Sequence, residues 1–146
     1  MKALFFDATY FGKLYWREPG STDVLACADT AEELVCSMHG RAEFLSIGFR
    51  KVREGLTVPS TLQAVFAQFN ADIADGDIRL LPLNEAILNR VESVFANAPA
   101  KTYLRAADAI HLATAAEHSF TEIYSNDKHL LSAAPLFGLR GVNVIS

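Results

Sequence analysis

Four acids in this sequence of 146 residues stand where carboxylates can act together. Asp7 closes the apolar run Leu4-Phe5-Phe6, which reads as a strand buried on both faces. A carboxylate there is either a ligand group at the carboxyl end of a buried strand or an N-cap for the next helix. Thr9 can offer a hydroxyl to the same point. Asp108 lies in Leu104-Arg105-Ala106-Ala107-Asp108-Ala109-Ile110-His111-Leu112-Ala113-Thr114-Ala115-Ala116, which predicts a helix apolar nearly all round and therefore buried. A buried carboxylate is unfavourable unless paired or metal-bound. Arg105, three residues earlier, is the alternative partner. Glu43 falls in the first turns of a predicted helix, where acids are common. Asp127 follows a predicted strand as Asp7 does, with an N-cap for a helix at Lys128 as its other reading.

Taken together, the four acids define a chemistry. Carboxylates sharing one small site cannot all ionise without a countercharge. Oxygen-only ligands select hard cations, Mg²⁺ or Mn²⁺, rather than zinc. Such a site suits phosphoryl chemistry, in which the metal orients a water, lowers its pKa and stabilises charge on phosphorus.

The elements that must position these acids follow from apolar periodicity and punctuation. Beyond the first strand the pattern predicts an aromatic-rich helix over 10–16, a helix capped by Ser21, a strand over 34–38 and a long helix over 39–54. Next come a helix from Pro59 to about Ala74, a strand over 78–81, and a helix capped by Asn84. The apolar helix over 103–118, a strand over 122–124, a short helix over 128–133 and a last strand over 142–145 complete the chain. Strands alternating with helices imply a three-layer α/β/α fold with a central parallel sheet of about five strands. If the first and fourth strands are neighbours, Asp7 and Asp127 face one crevice.

At this length one domain, 1–146, is expected, with no repeat or linker. The chain is 51% hydrophobic and carries a net charge of −4, so no global basic signal marks nucleic-acid binding. A cluster of metal-binding acids would itself lower that charge. Cys27 and Cys36 form no C-x-x-C motif and read as small hydrophobes in a reducing cytoplasm. Neither a signal peptide nor a membrane span is expected.

The quoted residues give the sequence a family resemblance. Phe6-Asp7-Ala8-Thr9, with Lys13-Leu14-Tyr15 and Arg17-Glu18-Pro19-Gly20-Ser21, resembles the opening motif of PIN domains, especially VapC-type toxins. Arg41-Ala42-Glu43 is similar to the second acidic motif, the segment around Asp108 to the third, and Ser125-Asn126-Asp127-Lys128-His129-Leu130-Leu131 to the fourth. Ser125 replaces the more usual Thr, and Ala8-Thr9 the common Thr-Ser; each keeps a hydroxyl. The resemblance implies a metal-dependent endoribonuclease acting on single-stranded RNA, transfer or messenger RNA among them, with Asp7, Glu43, Asp108 and Asp127 holding Mg²⁺ or Mn²⁺. It gives supporting places to Thr9, Arg105, Ser125 and Asn126, and implies an antitoxin partner and a homodimer. Cleavage is expected to leave a 5′-phosphate and a 3′-hydroxyl.

Other residues have rival readings. His111 and His118 could share a helix face as a zinc pair, though packing is the commoner role of such histidines. Tyr10, Phe11, Tyr15 and Trp16 could stack bases but fit a core or an interface better. Arg50, Lys51 and Arg53 could hold phosphates or form a solvated helix end. A haloacid-dehalogenase-type phosphatase also puts Asp after its first strand, but it needs a second Asp where Thr9 stands. A PIN fold retained as a non-catalytic binding module is the remaining alternative; all four acids are present here.

Overall fold

A computed structural model describes residues 2–146. The five strands β1 (Ala3–Phe5), β2 (Glu33–Ser37), β3 (Ile78–Leu81), β4 (Glu122–Tyr124) and β5 (Arg140–Val142) all pair in parallel. They form a three-stranded ladder, β1-β2-β3, and a two-stranded one, β4-β5. A single parallel bridge, Phe6 to Tyr124, joins the two, and the Asp7 N–H donates to the Tyr124 carbonyl at 3.1 Å. The order across the molecule is therefore β3-β2-β1-β4-β5.

Seven α-helices cover the two faces: α1 (Ala8–Tyr15), α2 (Ser21–Ala28), α3 (Met38–Arg53), α4 (Pro59–Ala74), α5 (Glu85–Asn97), α6 (Ala106–Glu117) and α7 (Lys128–Ala133). Alternation along β1 separates two cores. Phe5 points to a cluster with Val35, Ile87, Leu112, Ile123 and Leu130, under α5, α6 and α7. Leu4 and Phe6 point to Tyr10, Phe11, Val24, Phe44 and Phe69, under α1 to α4. The second core is aromatic: Phe44 and Phe69 stack at 4.1 Å, and Phe6 meets Tyr10 edge-on at 5.1 Å. Tyr10, Phe11 and Trp16 are thus core residues, and Cys27 and Cys36 are free thiols.

Several boundaries shift by one to three residues from expectation, and three of the differences have a local reason. Helix α6 starts at Ala106, not Tyr103: residues 102–105 are irregular, the N-cap Arg105 is extended, and the Tyr103 ring stacks on His129 at 3.8 Å. Leu104 therefore does not share a helix face with Asp108. Gly20, at φ +93°, caps α2 in place of Ser21, whose hydroxyl instead accepts from the Glu18 N–H and donates to the Trp16 carbonyl. A Cβ at Gly20 would also meet Ile145 Cδ1 at 2.9 Å. Strand β5 pairs over Arg140–Val142, not 142–145: Val144 leaves the ladder and donates its N–H to the Tyr10 hydroxyl at 2.9 Å. A 3₁₀ turn over Ala134–Phe137 extends α7. Among the described residues, no helix is long and apolar enough to cross a membrane.

Candidate active site

The acids come from four separate elements. Asp7 follows β1 and caps α1: its Oδ1 accepts the Tyr10 N–H at 3.0 Å and the Thr9 hydroxyl at 2.7 Å, and its Oδ2 accepts the Ser125 hydroxyl. Glu43 lies in the second turn of α3, which Ser37 caps by accepting the Gly40 N–H at 3.2 Å. Asp108 is in the first turn of α6, where the helix dipole favours a carboxylate. Asp127 caps α7, accepting the His129 N–H at 2.8 Å. For Asp7 and Asp127, then, capping and site-lining are one placement. All four line a single cavity of about 620 Å³ at the carboxyl ends of the strands, together with Thr9, Arg105, His111 and Asn126. The cavity opens beside the junction of β1 and β4, where chain order across the sheet reverses.

The carboxylates already have protein partners. Arg105 spans two of them, Nε to Asp108 Oδ2 at 3.2 Å and Nη2 to Asp127 Oδ2 at 3.1 Å. Its side chain is 58% exposed, against 9% for that of Asp108, so it reaches in from solvent. Ser125 Oγ accepts the Asp127 N–H at 2.9 Å while donating to Asp7, and so ties two acids together through the β4–α7 turn. Asn126 is held by the Asn143 amide at 2.9 Å.

His111 is a site residue that sequence reasoning assigned to packing. It is buried, and both ring nitrogens are engaged: Nδ1 lies 2.7 Å from Ser37 Oγ, and Nε2 bonds Glu43 Oε1. Ser37 has one proton to give, and its oxygen already accepts from Gly40. Donation to Nδ1 leaves the proton of His111 on Nε2, directed at Glu43. Only the sequence distance of the contact hid it, for the ring belongs to the motif around Asp108. His118 takes no part; its Nδ1 lies 3.0 Å from the Thr114 carbonyl within α6.

Electrostatics separate the acids. Burial pushes the Asp7 carboxyl above the usual range, against the hydrogen bonds from Ser125, Thr9 and Tyr10. Burial acts on Glu43 in the same direction. There the hydrogen bond from His111, with the favourable electrostatic surroundings that include Arg105, outweighs it and holds the carboxyl low.

The donor set fits a hard divalent cation. Four carboxylates with hydroxyls at Thr9 and Ser125 line or flank the cavity, no thiol lines it, and the one lining imidazole has both nitrogens occupied. The four are nonetheless spread out. Among the described residues, the three carboxylates grouped within 4.8 Å are Asp72, Asp75 and Asp77, at the end of α4, and none of them lines the cavity.

Known structures share this fold. Over 94% of this chain and 98% of theirs, the coordinates match the toxin VapC20 of Mycobacterium tuberculosis, described as cleaving the sarcin–ricin loop, at 15% identity and a TM-score of 0.68. VapBC2 of Rickettsia felis, bound to a fragment of its promoter DNA, matches over 97% and 98% at 10% identity and a TM-score of 0.68. FitAcB of Neisseria gonorrhoeae matches over 96% of both chains at 15% identity and a TM-score of 0.65. Identities this low establish a common fold. No curated protein matches the sequence. The family model for the PIN domain matches residues 4–135, nearly the whole sequence. The chain belongs to the PIN domain family, whose members are typically nucleases.

Proposed function

We propose that the chain is a Mg²⁺- or Mn²⁺-dependent endoribonuclease acting on single-stranded RNA, and the toxin of a type II toxin–antitoxin pair. The observation that carries this reading is the convergence of Asp7, Glu43, Asp108 and Asp127, from four elements, on one cavity. In it the four acids hold the metal directly or through water. When bound, the metal supplies charge stabilisation at phosphorus and makes water acidic enough to act as nucleophile. The remaining work falls to the chain's own groups. Thr9 and Ser125 fix the two oxygens of Asp7, so that buried carboxylate presents one orientation. His111 fixes Glu43 in the same way. Arg105 offsets one of the two charges of Asp108 and Asp127 until a cation or a phosphate arrives, and its exposure lets it swing towards the substrate. Hydrolysis leaves a 5′-phosphate and a 3′-hydroxyl. The antitoxin partner and the homodimer are part of the proposal; likeness to FitAcB and VapBC2, complexes of a PIN protein with its antitoxin, supports the first of them.

The test is cleavage. The purified protein should cut single-stranded RNA with Mg²⁺ or Mn²⁺, stop with EDTA, and lose activity as Asp7→Asn or Asp108→Asn without losing its fold. An Asp108→Asn protein cutting at the parent rate would refute the site. Expressed alone in a bacterium, the parent should arrest growth and Asp7→Asn should not; equal growth at equal expression would leave a nuclease that is no toxin.

A further inference from the structure

The cavity has a second end. Away from the four acids it is lined by Lys13 on α1 and by Arg50 and Lys51 on α3, with Glu18 between the two lysines. Glu18 accepts from Lys13 Nζ through Oε1 at 3.0 Å and from Lys51 Nζ through Oε2 at 2.8 Å. Both lysine side chains are mostly buried, 12% and 17% exposed. Two ammonium groups on one carboxylate leave a surplus positive charge inside a cavity whose other end is acidic. The ion pairs of these lysines run to Glu18 and to none of the four site acids. The surplus is therefore not explained as their countercharge.

Donor arithmetic points the same way. Each ammonium has three N–H groups. Lys13 spends one on Glu18 and one on the Pro19 carbonyl at 2.8 Å, and keeps one. Lys51 spends one on Glu18 and keeps two, while its charge sits 5.7 Å over the Trp16 ring. Side chains held this way have already lost the rotamer freedom that binding would otherwise take. Glu43 and Lys51 are eight residues apart on α3, about 12 Å along its axis. The two ends of the cavity can therefore meet different linkages of one strand.

We propose that Lys13 and Lys51, held in place by Glu18, form a subsite for a backbone phosphate of the RNA strand, beside the linkage that is cut. The inference rests on the ribonuclease reading. The subsite contacts phosphate, so it sets register and affinity without choosing a base.

Binding of a fluorescein-labelled single-stranded RNA that the parent protein cuts, followed by anisotropy in the Asp108→Asn background over a series of KCl concentrations, tests it. Lys51→Ala should weaken binding about tenfold at low salt and lower the slope of log Kd against log salt by about one. Lys51→Arg should stay near the parent. Replacing one linkage beside the cut by a neutral methylphosphonate should weaken the parent by a similar factor and Lys51→Ala no further, since the two changes remove the same contact. If Lys51→Ala only lowers the melting temperature, with affinity and salt slope unchanged, the trio is a fastener between α1 and α3 and the subsite is refuted. A parent that neither cuts nor binds RNA under any metal condition removes the ribonuclease reading, and the subsite with it.

Discussion

His111 shows how one side chain sets the aim of another. Its ring is fixed from behind by Ser37, which also starts α3, and it reaches forward to Glu43 on that same helix. Backbone, imidazole and carboxylate thus form one hydrogen-bonded path. Supporting groups of this kind typically change metal affinity or activity by 10- to 100-fold when removed. His111→Leu should lose both bonds, weaken Mn²⁺ binding within that range, and destabilise the fold by about 1–3 kcal/mol through the unpaired Ser37 and Glu43. His111→Gln can still present an N–H to Glu43, so it should recover part of the Mn²⁺ affinity. Titration calorimetry on the three proteins decides it: equal Mn²⁺ affinity in all of them would make His111 a packing residue only. At this scale the sequence was informative for three of the acids, because Asp7 and Asp127 follow predicted strands and Asp108 interrupts an apolar helix. It named near partners, Thr9 for Asp7 and Arg105 for Asp108, and was silent on the distant ones. The contact from Glu43 spans 68 residues and that between Glu18 and Lys51 spans 33, and pattern reasoning reaches only along one element.

Elements place these groups only because they pack closely. Helix α3 begins against β2 with no room to spare: a Cβ on Gly40 would lie 2.2 Å from Cys36 Sγ and 3.4 Å from the His111 ring. Gly40→Ala should therefore push the first turn of α3 off the sheet, at roughly 1–3 kcal/mol, the usual range for overpacking. Cys36→Ala removes the sulfur and should recover part of that loss in the double variant. Thermal melts of the two single variants and the double one measure the coupling; additive losses would mean the clash is relieved some other way. The glycine gave no sign of this in sequence, where His39-Gly40-Arg41 reads as the start of a helix. Strand order was legible as parallel but not as neighbouring: that β1 and β4 touch depends on one bridge, Phe6 to Tyr124, on which the meeting of Asp7 with Asp127 rests. The start of α6 was misplaced for a related reason. Apolar periodicity runs back to Tyr103, yet the irregular residues 102–105 let Tyr103 stack on His129 and Arg105 reach two acids.

For the molecule as a whole, the buried and paired carboxylates of the cavity link stability to pH and to metal. The Asp7 carboxyl is raised in the folded state, first by burial. The folded form therefore holds its proton more tightly than the unfolded one does. The stability this gives is fully present below the unfolded value and is lost as pH rises through the folded one. Asp7→Asn keeps a competent cap for α1 and removes the charge, so without metal it should be at least as stable as the parent at neutral pH. Asp108 answers differently. Its partner Arg105 is largely exposed, and solvent weakens a pair reached from outside in this way. Asp108→Asn should accordingly leave the metal-free protein close to the parent in stability. Bound metal adds RT ln(1 + [L]/Kd), about 2.7 kcal/mol at a hundredfold excess over Kd. Both variants should melt with a smaller rise than the parent when Mn²⁺ replaces EDTA. A buried structural pair would behave otherwise: breaking it would remove roughly 3–5 kcal/mol and leave the metal response intact. Melting curves of parent, Asp7→Asn and Asp108→Asn, in EDTA and in excess Mn²⁺ at neutral pH, separate the two. A large loss in EDTA with an undiminished Mn²⁺ shift would make Asp108 a partner of Arg105 and nothing more.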